Sequence, residues 1–409
     1  MGASLTVLAI AVVVVAGMLL RPWGSREWYW AAGGALCLVA LRAEPVVAAW
    51  SAVAGGATVY AFLAGIAVIA EIARYGGVFD ALAQRARVAG GRSRVRLFLL
   101  LFGAGALVTA LLSNDTTALV LTPAVFAALD ATGVDPLPYL YACAFVANAA
   151  SFVLPFSNPA NLVMYGGRLP PLSEWFGSFA VAAGAAVIAT YVLLWVAFRA
   201  KLHKPMRPVA PARGLSPRTR FTGLAVAFCA LGMVAAAALG WNVGIATLLL
   251  ALAAAGAVAL ADRAVPAPIA RHIPWQILPL VAGLFVVVDA LDRTGILTLA
   301  RELLARAGTL PQLLGNGAAA LGTAVASGAF NNLPVAMAVA RSPVVPHVFH
   351  AGVVGVDLGP NLCATGSLST LLWLIAVRRE GLDISAGSFL RIGLFAGLPA
   401  LVAAALLVR

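Results

Sequence analysis

Four short polar stretches interrupt long apolar segments of this chain, and they form two pairs about 210 residues apart. Their sequences are Ser-Asn-Asp-Thr-Thr (113–117), Ser-Asn-Pro-Ala-Asn (157–161), Asn-Asn-Leu-Pro (331–334) and Gly-Ser-Leu-Ser-Thr (366–370). A helix that starts at such a break has unpaired N–H groups and a positive dipole end, and both can hold an oxygen-rich solute. Repeated breaks at membrane depth are typical of transporters. We therefore predict that four helix starts converge on one polar site.

The candidate binding residues all lie in these breaks. Taken singly, a residue such as Thr117 or Ser369 is better explained as a helix cap or as a contact between helices. Taken together, the four breaks favour a binding site, because each supplies the same polar helix start. The predicted site consists of Asn114, Asp115, Thr116, Ser157, Asn158, Asn161, Asn331, Asn332, Gly366, Ser367 and Thr370.

Two carboxylates fall inside apolar segments, where a charged residue costs about 2.5–3.5 kcal/mol on insertion scales. Asp115 and Asp357 are therefore expected to be paired, protonated or functional. For Asp115, a proton-binding or solute-orienting role is favoured over a plain helix cap, and for Asp357 the functional and structural interpretations stand equal. Asn148 aligns with Asp357 between the two halves and is the third candidate for proton coupling.

The other titratable residues give weaker signals. Glu71 and Arg74 have the spacing of a structural salt bridge within one helix. Cys363 lies near a break, and a thiolate would suit a thiophilic ion, but an ordinary buried thiol explains it better. His347 and His350 share a helix face, which is weak evidence for a metal. Neither a metal site nor a cofactor is therefore predicted.

The composition is that of an integral membrane protein. With 62% hydrophobic residues, 10% charged residues and a mean hydropathy of +0.99, the 409 residues supply too little polar surface for a soluble globule. Apolar runs recur near the length that crosses a bilayer, and they favour helices over the alternating strands of a barrel. The net charge of +12 fits basic loops beside a membrane better than nucleic-acid binding.

Two basic loops, 80–96 and 199–220, are predicted to be cytoplasmic. Three apolar blocks separate them, and three full crossings would place them on opposite sides. We therefore predict that the first block, about 97–130, is a re-entrant helical hairpin and that 137–166 crosses as a broken helix. Carried forward, the argument places both termini outside. It also predicts a second hairpin at about 315–340 and a second broken helix at about 346–377.

Internal similarity indicates a duplication. A segment beginning at Ala64 matches one beginning at Ala282 with an offset of 218, and Asn114 matches Asn331 with an offset of 217. Each half holds an odd number of crossings, so the halves are expected to be inverted relative to one another.

The predicted domains follow from this duplication. They are a first inverted repeat over 1–200, a cytoplasmic linker over 201–220 and a second inverted repeat over 221–409. The predicted fold is an all-α polytopic membrane protein with two re-entrant hairpins, two broken transmembrane helices and about ten full crossings.

Four stretches of the chain resemble the arsenite and antimonite efflux permeases, the arsenical pump membrane proteins. They are NDTTALVLTP (114–123), SNPANLV (157–163), FNNLPVAMA (330–338) and, most specifically, DLGPNLCATGSLSTLLWL (357–374). The resemblance covers nearly the whole chain. That family belongs to a wider ion transporter superfamily that includes citrate, dicarboxylate and sodium/proton carriers. The paired Ser-Asn-Thr motifs expected of sodium-coupled dicarboxylate carriers are absent here.

The resemblance implies a bacterial inner-membrane transporter that exports trivalent arsenic or antimony from the cytoplasm. Export would use the proton motive force, in exchange for protons, or an attached soluble ATPase subunit. Arsenous acid is neutral and carries hydroxyl groups, so it suits an Asn, Ser and Thr site without Lys or Arg, and a site without three thiols would release it. By analogy with the superfamily, a homodimer is expected.

The sequence leaves other functions open. One is a carrier of another anion or a sodium/proton antiporter of the same superfamily. Another is the membrane subunit of an ATP-driven pump; the chain has no GxxxxGK[ST] loop with which to hydrolyse ATP itself. An intramembrane enzyme is disfavoured, since neither HExxH nor GxSxG occurs. Rocking and elevator movements of the hairpin region fit the sequence equally well.

Overall fold

The computed structural model describes residues 2–130, 132–204, 206, 214–261 and 266–409. These residues fold mostly into helices, with no strand among them, which confirms the expected all-α class of a polytopic membrane protein. Part of the predicted linker, residues 205 and 207–213, lies outside the described residues.

Within the described residues, the helices form two series of ten, and each helix of the first series has a counterpart ten places later. The first series is α1 (Gly2–Leu20), α2 (Glu27–Ala40), α3 (Val46–Gly55), α4 (Ala57–Tyr75), α5 (Val78–Gly90), α6 (Arg94–Leu111), α7 (114–130), α8 (Leu137–Ala149), α9 (Pro159–Met164) and α10 (Leu172–Leu202). The second series is α11 (Pro217–Ala238), α12 (Val243–Ala261), α13 (Pro266–His272), α14 (Ile277–Arg293), α15 (Thr298–Ala307), α16 (Gln312–Phe330), α17 (Asn332–Ala340), α18 (Pro346–Leu358), α19 (Leu368–Arg379) and α20 (Ala386–Leu407).

Eight segments of the described residues are long and apolar enough to cross a membrane on their own. They are α4, α6, α10, α11, α12, α16, α20 and Ile269–Arg293, which includes α14. Shorter apolar helices occur at Ser4–Leu20, Val46–Gly55 and Leu137–Ala149. Leu137–Ala149 is the first half of one of the two interrupted segments, which explains why it falls short of a full span.

The polar breaks at 112–113 and at 331 each reverse the chain between two helices. In the first hairpin, α6 and α7 run antiparallel, since Thr117 Oγ1 lies 2.8 Å from Thr109 Oγ1 and 3.4 Å from the carbonyl oxygen of Gly105. In the second, α16 and α17 pack against each other. The other two breaks divide α8 from α9 and α18 from α19, where the chain leaves the α-helix over 150–158 and 359–367.

The two basic segments predicted as loops lie at the same end of the molecule, but most of the first, 80–96, is helix α5. Arg94 donates a hydrogen bond to the carbonyl oxygen of Lys201 (3.3 Å), and the Lys201 ammonium lies 2.7 Å from the carboxylate of Asp135. Arg94 precedes the first hairpin and Asp135 follows it, so this hairpin returns the chain to the end where it began. The backbone N–H of Arg409 bonds to Ser178, near the other end of α10, which places the C-terminus opposite the basic loops.

The two series of helices are inverted. Helix α8 starts at the basic end, where the Tyr139 hydroxyl donates to the carbonyl oxygen of Arg94 (3.3 Å). Its counterpart α18 starts at the opposite end, where His350 bonds to the carbonyl oxygen of Arg409. Equivalent helices therefore point in opposite directions, which is the symmetry of an inverted repeat.

Reciprocal packing joins the two series. Helix α4 packs against α12, and its counterpart α14 packs against α2. A Cβ atom at Gly65 of α4 would lie 2.8 Å from the backbone nitrogen of Leu248, and one at Gly283 of α14 would lie 2.4 Å from the backbone of Ala31. These two glycines match in the internal alignment, and each lets a pair of helices approach closely at the same place in its repeat.

Candidate solute-binding site

The four breaks meet around one narrow cavity. Helices α7, α9, α17 and α19 all start there, and α4 and α14 close it with one apolar side chain each. The lining residues are Leu63, Asn114, Asp115, Asn158, Pro159, Ile277, Asn332, Leu333, Ser367, Leu368 and Ser369. The cavity therefore lies between the helix starts of both repeats on one side and helices α4 and α14 on the other.

One backbone hydrogen bond joins each hairpin tip to the broken segment of its own repeat. The N–H of Asn114 donates to the carbonyl oxygen of Ser157 (3.1 Å), and the N–H of Asn332 donates to that of Gly366 (2.9 Å). These equivalent bonds pair Asn114 with Asn332. The expected match of Asn114 with Asn331 is therefore wrong by one residue, and the offset of 218 continues through the tip.

Each helix start is capped by the side chain of the residue that precedes it, at donor–acceptor distances between 3.0 and 3.2 Å. The pairs are Ser113 with the N–H of Thr116, Asn158 with Ala160, Asn331 with Leu333, and Ser367 with Thr370. A cap satisfies one N–H of the first turn, so the remaining N–H groups and the positive helix ends still favour oxygen atoms in the cavity.

A buried carboxyl group of the second repeat holds a cavity residue of the first. Asp357 on α18 has no exposed surface, and its Oδ1 accepts a hydrogen bond from Nδ2 of Asn158 at 2.6 Å. The side chain of Asn161 lies beside the same carboxyl group. Within the described residues, Oδ2 of Asp357 and Oδ1 of Asn161 have no hydrogen-bond partner.

The counterpart of this contact contains amides only. Nδ2 of Asn148 on α8 donates to Oδ1 of Asn361 (2.9 Å) and lies 3.3 Å from Oγ1 of Thr370. Asn361 in turn donates to the carbonyl oxygen of Phe145 (3.2 Å). Each repeat therefore supports the broken segment of the other, with an acid at Asp357 and an amide at Asn148.

The structure divides the eleven predicted site residues into two groups. Those that line the cavity are Asn114, Asp115, Asn158, Asn332 and Ser367. Those that lie behind it or beside it are Thr116, Ser157, Asn161, Asn331, Gly366 and Thr370. The second group holds the breaks in shape: for example, Ser157 Oγ donates to the carbonyl oxygen of Ala110 at 2.9 Å, and a Cβ atom at Gly366 would lie 2.8 Å from Cα of Pro360.

Sequence reasoning did not include several lining residues. Leu63 and Ile277 are single apolar residues of apolar helices, and no sequence signal distinguishes them from their neighbours. Leu333 and Ser369 could have been included, because each lies within one residue of a predicted site residue in a polar break.

The cavity carries little charge. Asp115 is the only titratable residue among those that line it. No hydrogen bond to the Asp115 carboxylate comes from any described residue, so this group is available to a solute. A wall of amides, hydroxyls and helix N-termini with one acid suits a small neutral molecule that carries hydroxyl groups.

The remaining candidates do not join this site. Glu71 pairs with Arg74, as their spacing predicted. Cys363 Sγ lies 3.0 Å from Thr365 Oγ1, and His347 Nδ1 lies 2.8 Å from Asn316 Oδ1. No group of three or more His, Cys, Asp and Glu side chains in the described ranges is arranged to hold a metal ion.

Comparison with known proteins places the chain among membrane carriers. Residues 4–364 match the family model for the citrate transporter family CitMHS. The arsenical pump membrane protein of Escherichia coli K12 is 32% identical over 425 residues, covering 96% of this chain and 95% of that protein. The protein of the same name from Yersinia enterocolitica is 30% identical, covering 82% of each chain.

A solved structure shares the fold at low sequence identity. The crystal structure of the YdaH transporter of Alcanivorax borkumensis, described as having an unusual topology, superposes with a TM-score of 0.59 at 16% identity. The match covers 99% of this chain and 97% of that one. The family model and the near full-length identity together show that this chain is a membrane transporter that belongs to the arsenical pump membrane protein family.

Proposed function

We propose that this protein exports trivalent arsenic or antimony from the cytoplasm across the bacterial inner membrane, in exchange for protons. The solute would be the neutral acid, which has hydroxyl groups that donate and accept hydrogen bonds. The relatives named above are arsenical pump membrane proteins, and the cavity chemistry agrees with such a solute.

The observation that carries this proposal is the lining of the cavity. Asn114, Asn158, Asn332 and Ser367 offer amides and hydroxyls at four helix starts, and no Lys or Arg is among the lining residues. A carrier for citrate would have to neutralise several carboxylates, for which Arg and Lys are the usual partners. The absence of thiols from the lining also supports transport, because a cage of thiolates would retain trivalent arsenic.

The orientation follows from the two ends of the molecule. The end that holds Arg94 and Lys201 is rich in basic residues, so we place it in the cytoplasm. The C-terminus at Arg409 then lies outside, as does the N-terminus. Export would expose the cavity alternately to the two sides as the hairpin region moves against the helices that include α4 and α14.

The test is transport by the purified protein in liposomes. In liposomes that are acidic inside, and without an ATPase, we expect uptake of arsenite and antimonite by protein whose cytoplasmic end faces outward, and collapse of the proton gradient should abolish it. Citrate and sodium serve as competing solutes. Uptake of citrate or sodium without arsenite would contradict the proposed solute. Arsenite uptake only after addition of a soluble ATPase would contradict proton exchange.

A further inference from the structure

We infer that Asp357 holds the exchanged proton, and that it acts as a positioning residue through Asn158 rather than by touching the solute. This inference rests on the proposed function, and it assigns the coupling site that the proposed exchange requires. The argument comes from the surroundings of Asp357 and from the difference between Asp357 and its counterpart, Asn148.

Asp357 lies in a place where a carboxylate is poorly stabilised. It has no exposed surface, and no salt bridge within the described residues includes it. The helices packed against α18 include α8, α9, α16, α17 and α20. Within the bounds of these five helices, Arg391 on α20 is the one Lys or Arg. An unpaired buried charge costs several kcal/mol, so the neutral acid is the form that this environment favours.

The neighbouring titratable groups do not supply a counter-charge. Helix α8 contributes Tyr139, Tyr141 and Cys143, which are neutral in their ordinary protonated forms. His347 and His350 lie on α18 itself, and His350 bonds to Arg409 at the far end of the helix. Arg391 is exposed, whereas Asp357 is fully buried.

Two buried oxygen atoms at this site, Oδ2 of Asp357 and Oδ1 of Asn161, have no hydrogen-bond donor among the described residues. Oδ1 of Asp357 already accepts the hydrogen bond from Asn158, while Oδ2 has no donor. Asn161 donates through Nδ2 to the carbonyl oxygen of Ser151 (2.9 Å), and its Oδ1 accepts no hydrogen bond from a described residue. A proton on Oδ2 of Asp357 removes the buried charge and turns an acceptor that lacks a donor into a hydroxyl group.

Asn158 connects this proton to the solute. Its Oδ1 caps α9, one N–H bonds to Asp357, and its side chain lines the cavity. A solute hydroxyl that donates to Oδ1 of Asn158 polarises this amide and strengthens its N–H bond to Asp357. A stronger hydrogen bond to the carboxylate favours its ionised form, so the solute acts in place of the proton without touching Asp357. Solute binding then releases the proton, as exchange requires. Asn148 cannot take this role, because an amide does not titrate.

Infrared difference spectroscopy on the full-length protein tests the inference. The solute-free wild type should show the carbonyl band of a protonated carboxylic acid near neutral pH, and Asp357→Asn should remove it. Asp357→Glu should shift it, which provides a second variant should the amide fold poorly. Addition of arsenite should abolish the band and release protons into unbuffered medium. Asp115→Asn should keep the band and require more arsenite.

The variants separate this inference from the proposed function. Asp357→Asn preserves the shape of the protonated acid, so it should bind arsenite with an affinity that no longer changes with pH. A band or a proton release that persists in Asp357→Asn would overturn the inference, whatever the solute. A band that depends on Asp357 but responds to neither arsenite nor antimonite would leave the proton site in place and reject the proposed solute.

Discussion

The two repeats build their breaks from the same backbone but present different chemistry to the cavity. The bonds from Asn114 to Ser157 and from Asn332 to Gly366 are equivalent. At the next position, however, the first hairpin offers Asp115 and the second offers Leu333. In the support behind the cavity, the amide of Asn148 corresponds to the acid of Asp357. The symmetry is therefore one of backbone, not of side chains.

This difference has a physical reason. An inverted repeat allows the chain to adopt two conformations of similar energy that open to opposite sides, and this depends on backbone packing. The binding of a small solute depends on side chains and needs no such symmetry. The backbone symmetry is therefore kept although each pair has an acid at one position only. The following variants compare equivalent positions of the two repeats or the two ends of the molecule, in order of decreasing expected effect.

The largest difference is expected between Asn158→Ala and Ser367→Ala. Both remove a helix cap, which costs about 1 kcal/mol. Only Asn158→Ala also leaves the buried Asp357 carboxyl group without a donor, at a further cost of about 1–3 kcal/mol. Arsenite uptake into everted membrane vesicles, normalised to protein, should be abolished in Asn158→Ala and only reduced in Ser367→Ala. Equal losses would show that the link to Asp357 does not matter.

The matched glycines test the symmetry of the packing. Gly65→Ala and Gly283→Ala each place a methyl group against the backbone of a neighbouring helix, at 2.8 and 2.4 Å. Each should lower the free energy of unfolding by about 3 kcal/mol or more, and Gly283→Ala should have the larger effect. Thermal unfolding in detergent measures this. Gly103→Ala is the control, because no atom of a neighbouring helix lies within 4 Å of its added Cβ. A similar loss there would contradict the packing argument.

Ionisable residues at the two ends of the molecule should make its stability change with pH in opposite directions. In the loop between α2 and α3, burial and then the charge of Asp289 raise the pKa of Glu44 to about 7, although Arg293 and Arg341 oppose this. Because the folded pKa lies above the ordinary value of 4.5, the folded protein loses about 1–3 kcal/mol of stability as pH rises from about 4.5 to about 7. Glu44→Gln should remove this loss in thermal unfolding measured across that range.

At the basic end of the molecule, the stability contributed by Asp135 depends on pH in the opposite direction. Burial alone would raise the pKa of Asp135, but hydrogen bonds from Lys201 and from the N–H of Leu137 outweigh it and hold the pKa below its ordinary value. The stability from this pair is present above pH 4 and disappears as pH falls further. Asp135→Asn should therefore lower the unfolding temperature at neutral pH but not in stronger acid. A loss that is independent of pH would contradict the assignment.

The smallest effect is expected at the two hairpin caps. Ser113 has an extended backbone, whereas Asn331 has φ 71° in the left-handed region. Glycine at 331 loses the cap but adopts this φ without strain, while alanine loses the cap and is strained. The stability difference between the Gly and Ala variants should thus be about 1 kcal/mol larger at 331 than at 113. Equal differences in detergent unfolding would contradict this.

Much of this site could be predicted from local sequence. Asn114, Asn158, Asn332 and Ser367 stand at helix starts inside apolar segments, and polar backbone at that depth must face a cavity or other protein. The all-α class followed from the continuous apolar runs, because a barrel strand would alternate apolar and polar residues and a spanning helix does not. The offset at the second hairpin tip could not be settled in this way, because Asn331 and Asn332 are identical in type and only the bond from Asn332 to Gly366 distinguishes them.

The sequence by itself determined the helices, their polar interruptions and the duplication, because these depend on residues close together in the chain and on the cost of burying polar groups. Only the tertiary structure decided that Asp357 holds Asn158, 199 residues away, and that Leu63 and Ile277 close the cavity. Contacts between the repeats depend on how inverted helices pack, and no short stretch of sequence encodes that packing.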